Sequence, residues 1–445
     1  MTLVTFLGML GAEQKKTEEV KATSQEARAS YAFEPSLAAD LKLPQDKALG
    51  KYHNMLPLLL EHLHSPDRIV LVGTGDSLRL QRQLLERHYP ALARREVETV
   101  ELDDTLDYRA IFGRLNDLLE RDDELIVDIS HSFRHLPILM VVELIIENVK
   151  DPSRIRHILF ARELKKNLDY EIVDLREYLT LANISYALAS FTRNYTVATA
   201  VRTRDEGYQQ LLHLLERVSD HLLANSFESL LFYDTEGGAP LTLRIIETLR
   251  RVERHPTARP LARYLAEIRR HMEEIHAQSE RDPDERYEFF ARTMYDKGYM
   301  LNAVVLLDEA LAAYCLEGLR RRPEFAETFQ GFEAKIVARS DPRRYNRYEL
   351  SSMAKNLVKF GKKFQGTFLL DDSAHHRALD IITRNYRGTQ ALRNLLFDCD
   401  AMRNNLAHGN SDRRLDDVRR ELGELMARYD EVCRFDDPLG RFQTR

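Results

Sequence analysis

The chain has 445 residues, 44% hydrophobic and 31% charged, with a formal net charge of −6. Such a composition suits a soluble globular protein of two or three domains, and its acidic balance excludes coating of nucleic acid by bulk electrostatics. Any contact with RNA has to be local. Cys315, Cys399 and Cys433 show no C-x-x-C spacing, so neither a zinc cluster nor a disulfide framework is indicated, and a reducing cytoplasm is expected.

The opening MTLVTFLGMLG is apolar but short, with no basic flank and no small-residue cleavage site. It reads as a first buried strand rather than a signal peptide. Short β-rich runs then alternate with helical patterns, the signature of a parallel α/β sheet. Expected strands are Leu3–Leu7, Arg68–Val72, Val97–Leu102, Leu125–Ile129 and Ile155–Phe160, with Glu171–Val173 as a short edge. Expected helices are Asp46–His64, Ser77–Tyr89, Tyr108–Arg121 and Leu136–Asn148. The strands are unbroken apolar runs, as when both sheet faces are covered. From Tyr178 onward the pattern is helical, with interruptions at Glu236-Gly237-Gly238, Asp282-Pro283, Asp341-Pro342 and Asp371-Asp372. Three parts are expected: residues 1–178, a helical connector 179–282, and a terminal bundle 283–445. Ala303–Tyr314 reads as the best core helix of that bundle, with Asp308 and Glu309 on its polar side. No run approaches a membrane span, so no membrane partner is expected.

Ligands of open parallel sheets sit outside the carboxyl ends of the strands, where strand order reverses. Three strands here lead into loops of suitable chemistry: Gly8-Met9-Leu10-Gly11, Gly73-Thr74-Gly75-Asp76-Ser77, and Ser130-His131-Ser132-Phe133-Arg134 following Asp128. Small residues let backbone amides approach a phosphate, and hydroxyls, an imidazole and a guanidinium at a helix start complete an anion cradle. Ser130–Arg134 reads equally well as a capped helix start with a solvated arginine. Neither glycine loop completes Gly-x-Gly-x-x-Gly, and no Walker-type Gly-Lys-Ser/Thr occurs, which speaks against a dinucleotide enzyme and against ATP hydrolysis.

Near the C-terminus stands Arg403-Asn404-Asn405-Leu406-Ala407-His408. A guanidinium and an imidazole held close together are what cleaving RNA without a metal requires: the imidazole can take the 2′-hydroxyl proton, and the guanidinium can stabilise charge on the phosphoryl oxygens. Spacing alone is weak evidence, since Arg250 and His255 repeat it just before a helix-breaking Pro256. Here, however, Asn404 and His408 share a helix face above an apolar stripe of Leu395, Leu396, Met402 and Leu406. Asp398 and Asp400, two apart, point to different faces, so no metal site is assigned.

Asp128-Ile129-Ser130-His131-Ser132-Phe133-Arg134-His135-Leu136-Pro137, Thr5-Phe6-Leu7-Gly8 and Arg403-Asn404-x-x-x-His408 together resemble the CRISPR-associated CARF–HEPN ribonucleases of type III systems. The likeness covers both ends of the chain and no motif of the connector. Ser130 stands where relatives usually carry Thr, and the first loop reads Gly8-Met9-Leu10-Gly11 where they more often carry Thr, Gly and an aromatic residue, which leaves the ring size of the ligand open. The resemblance implies a Rossmann-like α/β CARF domain and an all-α HEPN domain. It implies a cyclic oligoadenylate activator, with cyclic tetra-adenylate the expected form, lying on the dyad of a homodimer that can assemble further. Gly8, Met9, Ser130, His131, Ser132, Phe133 and Arg134 would line that site with the backbone of Gly73, Thr74, Gly75, Asp76 and Ser77. Arg403, Asn404 and His408 would cleave single-stranded RNA, with no metal and no other cofactor. Two readings from other classes stand beside it: a non-catalytic nucleotide sensor, and a ring nuclease degrading the messenger in the α/β domain.

Overall fold

The runs TLVTFL, RIVLVG and LIVDISH are rich in β-branched and aliphatic residues and carry apolar side chains on alternate positions in both directions, so each forms a strand buried on both faces. In the computed structural model these are β1 (Thr2–Leu7), β4 (Arg68–Gly73) and β6 (Leu125–His131). The structure describes residues 1–8, 28–43, 49–63, 66–102, 107–120, 124–131, 135–166, 168–197, 203, 205–234, 238–323, 330, 334, 347–360, 389–409 and 413–442. The expected interruptions at Asp341-Pro342 and Asp371-Asp372 lie outside them.

With β2 (Ala29–Phe33), β3 (Gly50–Tyr52), β5 (Glu98–Glu101), β7 (Ile155–Lys165) and β8 (Asp169–Asp174), these strands form an eight-stranded sheet of order β3-β2-β8-β7-β6-β1-β4-β5. The centre is parallel, from β5 through β4, β1 and β6 to β7. Beyond it β7 and β8 form an antiparallel hairpin, so the sheet is mixed rather than wholly parallel. Glu171–Val173, expected at an edge, lies inside the sheet because β2 pairs along the outer side of β8. The helix expected over Asp46–His64 is shorter than its pattern. Gly50, at φ +136°, opens the small strand β3, and Asn54 caps the helix Met55–His62 by accepting the Leu56 amide at 3.0 Å.

The sheet's two faces pack separately. Leu3, Leu7, Ile69 and Leu71 join Leu56, Leu59 and Leu60 of the Met55–His62 helix. Val4, Phe6, Val70 and Val72 join Ile111 and Leu115 of the helix Tyr108–Leu119 and Met140 and Leu144 of His135–Lys150. Glu143 of the latter helix is 1% exposed, and neither carboxylate oxygen has a hydrogen-bond partner. Desolvation, reinforced by Glu147, pushes its carboxyl up. An acid raised on folding contributes stability below its unfolded pKa that is lost as pH rises through the folded value. Glu143→Gln is therefore expected to raise the melting temperature by roughly 2–4 °C at about pH 8 and not at about pH 4, read by scanning fluorimetry. Equal shifts at both would contradict this reading.

The chain folds into two compact units, Met1–Leu188 with Ala198–Leu212 and Ala189–Val197 with His213–Arg445. The first is the Rossmann-like α/β unit; the second is helical throughout its described residues. A further division near Asp282 stays a proposal. In the second unit Met300–Arg320 is the central helix, packed by Pro283–Asp296, Arg347–Phe360 and Thr389–Ala407. Ala303, Val304, Leu307, Leu311 and Tyr314 are buried along it, as the pattern Ala303–Tyr314 requires. Asp308 departs from expectation: it is 2% exposed and faces the bundle interior, because a lysine meets it there. Among the described residues no helix is long and apolar enough to cross a membrane.

Candidate functional site

In the α/β unit, strand register brings together the ends of the three strands from which the loops leave. Leu7 of β1 stands opposite Gly73 of β4 on one side and His131 of β6 on the other. The three strands therefore end at one level, at the reversal of strand order. Asp128, 1% exposed, fixes the start of the third loop at Ser130. It accepts the Thr5 hydroxyl at 2.7 Å, the Ser130 amide at 3.0 Å and the Ser130 hydroxyl at 2.6 Å. The Ser130 oxygen in turn accepts the Ala161 amide at 2.8 Å, so this hydroxyl already ties β6 to β7.

Gly75–His88 is the helix that opens the second loop. Thr74 caps it, accepting the Ser77 amide at 3.3 Å while the Ser77 hydroxyl donates to the Thr74 carbonyl at 2.9 Å. Both side chains are buried, so these hydroxyls serve the loop itself rather than its surface. A Cβ at Gly73 would come within 3.0 Å of the Leu7 carbonyl and closer still to Ser77 Oγ, so the close approach of β1 and β4 requires glycine. Asp76 is exposed and paired with Arg79, and the Glu101 carboxylate lies against Gly75. Gln81 was not legible as a site residue. It is buried, donates to the Gly8 carbonyl at 3.3 Å and is held by Asn54 at 2.8 Å. Met9, Ser132, Phe133 and Arg134 lie outside the described residues, and His131 is described only by its place on β6.

The second set of candidates ends the helix Thr389–Ala407. Its inner face buries Leu392, Leu395, Leu396, Cys399 and Met402, which holds the helix against the bundle. Leu406 is half-buried at the end of that stripe. Gly409, at φ +97°, closes the helix, a conformation a side chain at that position would strain. His408 stands in this closing turn, exposed, its amide still bonded to the Asn404 carbonyl at 3.0 Å. Asn404 is exposed as well, and its Oδ1 lies 3.5 Å from the Arg403 guanidinium.

Arg403 is half-buried and anchored. Its guanidinium donates to Asp308 at 2.7 Å and lies 3.6 Å from Asp400. Lys355 of the helix Arg347–Phe360 reaches both Asp308 oxygens at 2.8 Å and Asp400 at 3.1 Å, and Lys359 pairs with the second Asp400 oxygen. Burial pushes the Asp308 carboxyl up against the pull of Lys355. Burial opposes charge on Asp400 also, but the lysines outweigh it and hold its carboxyl below the usual range. Glu309, half-buried beside Asp308, is pushed up by desolvation. Three cations thus share two carboxylates, so Arg403 is oriented without its charge being cancelled. Asp398 turns away to Arg428, as its spacing from Asp400 requires.

No family model matches the chain, and no curated protein matches it. Among solved structures, Enterococcus italicus Csm6 bound to cyclic hexa-2′-fluoro-hexa-dAMP aligns with 99% of this chain and 94% of that chain, at a TM-score of 0.45 and 11% identity. A likeness of that degree assigns no residue a role.

Proposed function

We propose that the chain is an endoribonuclease of the CARF–HEPN kind, cleaving single-stranded RNA when a cyclic oligoadenylate binds the α/β unit. The observation that carries this reading is the set at the end of Thr389–Ala407. An exposed amide lies beside a guanidinium oriented by buried carboxylates that lysines also neutralise, and an exposed imidazole follows one helical turn after that amide. His408 takes the proton from a ribose 2′-hydroxyl, whose oxygen attacks the adjacent phosphorus. The bond to the 5′-oxygen breaks, and that oxygen is protonated as it leaves. Arg403 stabilises the charge on the equatorial oxygens, and Asn404 orients His408 or the RNA.

One imidazole does not readily serve both proton transfers at once, so two copies of the chain would face their motifs across a homodimer. In the α/β unit, the polyanionic ring would sit on the backbone amides of Gly73–Ser77 and on the loop that Asp128 braces. Activation is then a shift toward the arrangement the ring binds better.

One observation favours a second reading. An arginine ion-paired to Asp308 also serves packing alone, which would leave a non-catalytic sensor. End-group analysis separates the two. RNA incubated with protein, activator and EDTA is expected to carry 2′,3′-cyclic phosphate and 5′-hydroxyl ends. Uncleaved RNA, or 3′-hydroxyl ends, would contradict the proposal.

A further inference from the structure

Asn405 has no place in the mechanism above, although it lies in the same turn as Asn404. It is half-buried, and its Oδ1 is buried with no hydrogen-bond partner among the described residues. A buried amide oxygen that no donor meets costs stability, and a leucine would fill the place without that cost. The neighbouring cations are engaged elsewhere. Arg403 donates to Asp308 at 2.7 Å, and Arg428 goes to Asp398, two turns before Asn405 on the same face, at 2.8 Å.

Position points to the missing donor. Asn405 and His408 are three apart, and the His408 amide bonds the Asn404 carbonyl at 3.0 Å, so helical spacing extends to the histidine. Residues three apart on a helix are neighbours, with Cβ atoms about 5–6 Å from each other. Helical side chains also lean toward the N-terminus, which favours placing the His408 ring over the turn that holds Asn405. The Asn404 oxygen already faces the Arg403 guanidinium, at 3.5 Å. We propose that Asn405 is a positioning residue for His408, its Oδ1 accepting one ring N–H of the imidazole when RNA is engaged. A neutral imidazole carries one N–H and one bare nitrogen. Holding the N–H on Asn405 fixes the tautomer and turns the bare nitrogen to the ribose 2′-hydroxyl. Asn404 is left to Arg403 and the RNA.

This inference rests on the ribonuclease reading, and its test keeps the two apart. Cleavage of a short RNA by the full-length protein, with whichever of cyclic tetra- or hexa-adenylate activates it, is compared for wild type, His408→Ala, Asn405→Leu, Asn405→Asp and the double variant Asn405→Leu with His408→Ala. Asn405→Leu keeps the size of the side chain and removes the acceptor. It is expected to lower kcat about 10- to 100-fold, the range for losing a group that orients a histidine, with KM and melting temperature little changed. Asn405→Asp keeps an acceptor in place and should recover kcat to within a few-fold of wild type. In the double variant the leucine should add nothing to the loss from His408→Ala, because it acts only through the imidazole. Wild-type cleavage with unaltered kcat in Asn405→Leu would overturn the positioning role alone. So would a raised KM, a full additional loss in the double variant, or a melting temperature that falls in step with kcat, since each assigns Asn405 to the RNA or to the fold. A kcat as low in Asn405→Asp as in Asn405→Leu, at equal melting temperature, would overturn it too. Absence of wild-type cleavage would overturn the ribonuclease reading and the positioning role together.

Discussion

His408→Ala is expected to lower activator-dependent RNA cleavage by about 10²- to 10⁴-fold, the range for losing a general acid–base group. The melting temperature should not move. The side chain is exposed in the turn after Thr389–Ala407, and that turn is held by the His408 amide and by Gly409, neither of which the substitution touches. Because the proposed chemistry uses no metal, residual activity should be the same with EDTA or with magnesium. A variant retaining more than a tenth of wild-type cleavage would remove His408 from the mechanism.

The largest effect on stability is expected from Lys355→Met. It leaves Asp308 buried with only the half-exposed Arg403 as counter-charge, and deprives Asp400 of one of its two lysines. Breaking a buried pair on one side costs about 3–5 kcal/mol, because the remaining charge stays buried. At the size of the second unit this is a fall on the order of 10 °C. Asp308→Leu combined with Lys355→Met removes both charges and should recover much of that loss. Cleavage should not recover, since Arg403 would have lost the carboxylate that aims it. Thermal melts and kcat on the same three proteins check both halves. Recovery of kcat along with stability would show that Asp308 supports only the fold.

The network also shows where sequence reading stops. Arg403, Asn404 and His408 are legible because spacing on one helix is a local property. Their supports come from elsewhere: Asp308 is 95 residues from Arg403, and Lys355 is 47 from Asp308. Asp308 reads as the polar side of an otherwise apolar helix. Its burial is explained by Lys355 of the facing helix together with Arg403.

The central strands are legible for the opposite reason. A strand covered on both faces is continuously apolar whatever pairs with it, as Thr2–Leu7 and Arg68–Gly73 show. Ala29–Phe33 has partly exposed positions at Ser30 and Ala32, and Gly50–Tyr52 has three residues, so neither carries a run to recognise. Without Ala29–Phe33, the strand Asp169–Asp174 looks like an edge. The convergence of Gly8, Gly73 and His131 was foreseeable from strand order, whereas the clamp by Asp128 and Gln81 depends on side-chain geometry that spacing does not encode.

The most direct measurement is cleavage of a fluorescent single-stranded RNA in EDTA, with and without cyclic tetra-adenylate, by wild type and by His408→Ala. The account predicts cleavage that the ligand stimulates in the wild type and that the substitution abolishes. Equal cleavage with and without cyclic tetra- or hexa-adenylate, or stimulated cleavage that survives in His408→Ala, would contradict it.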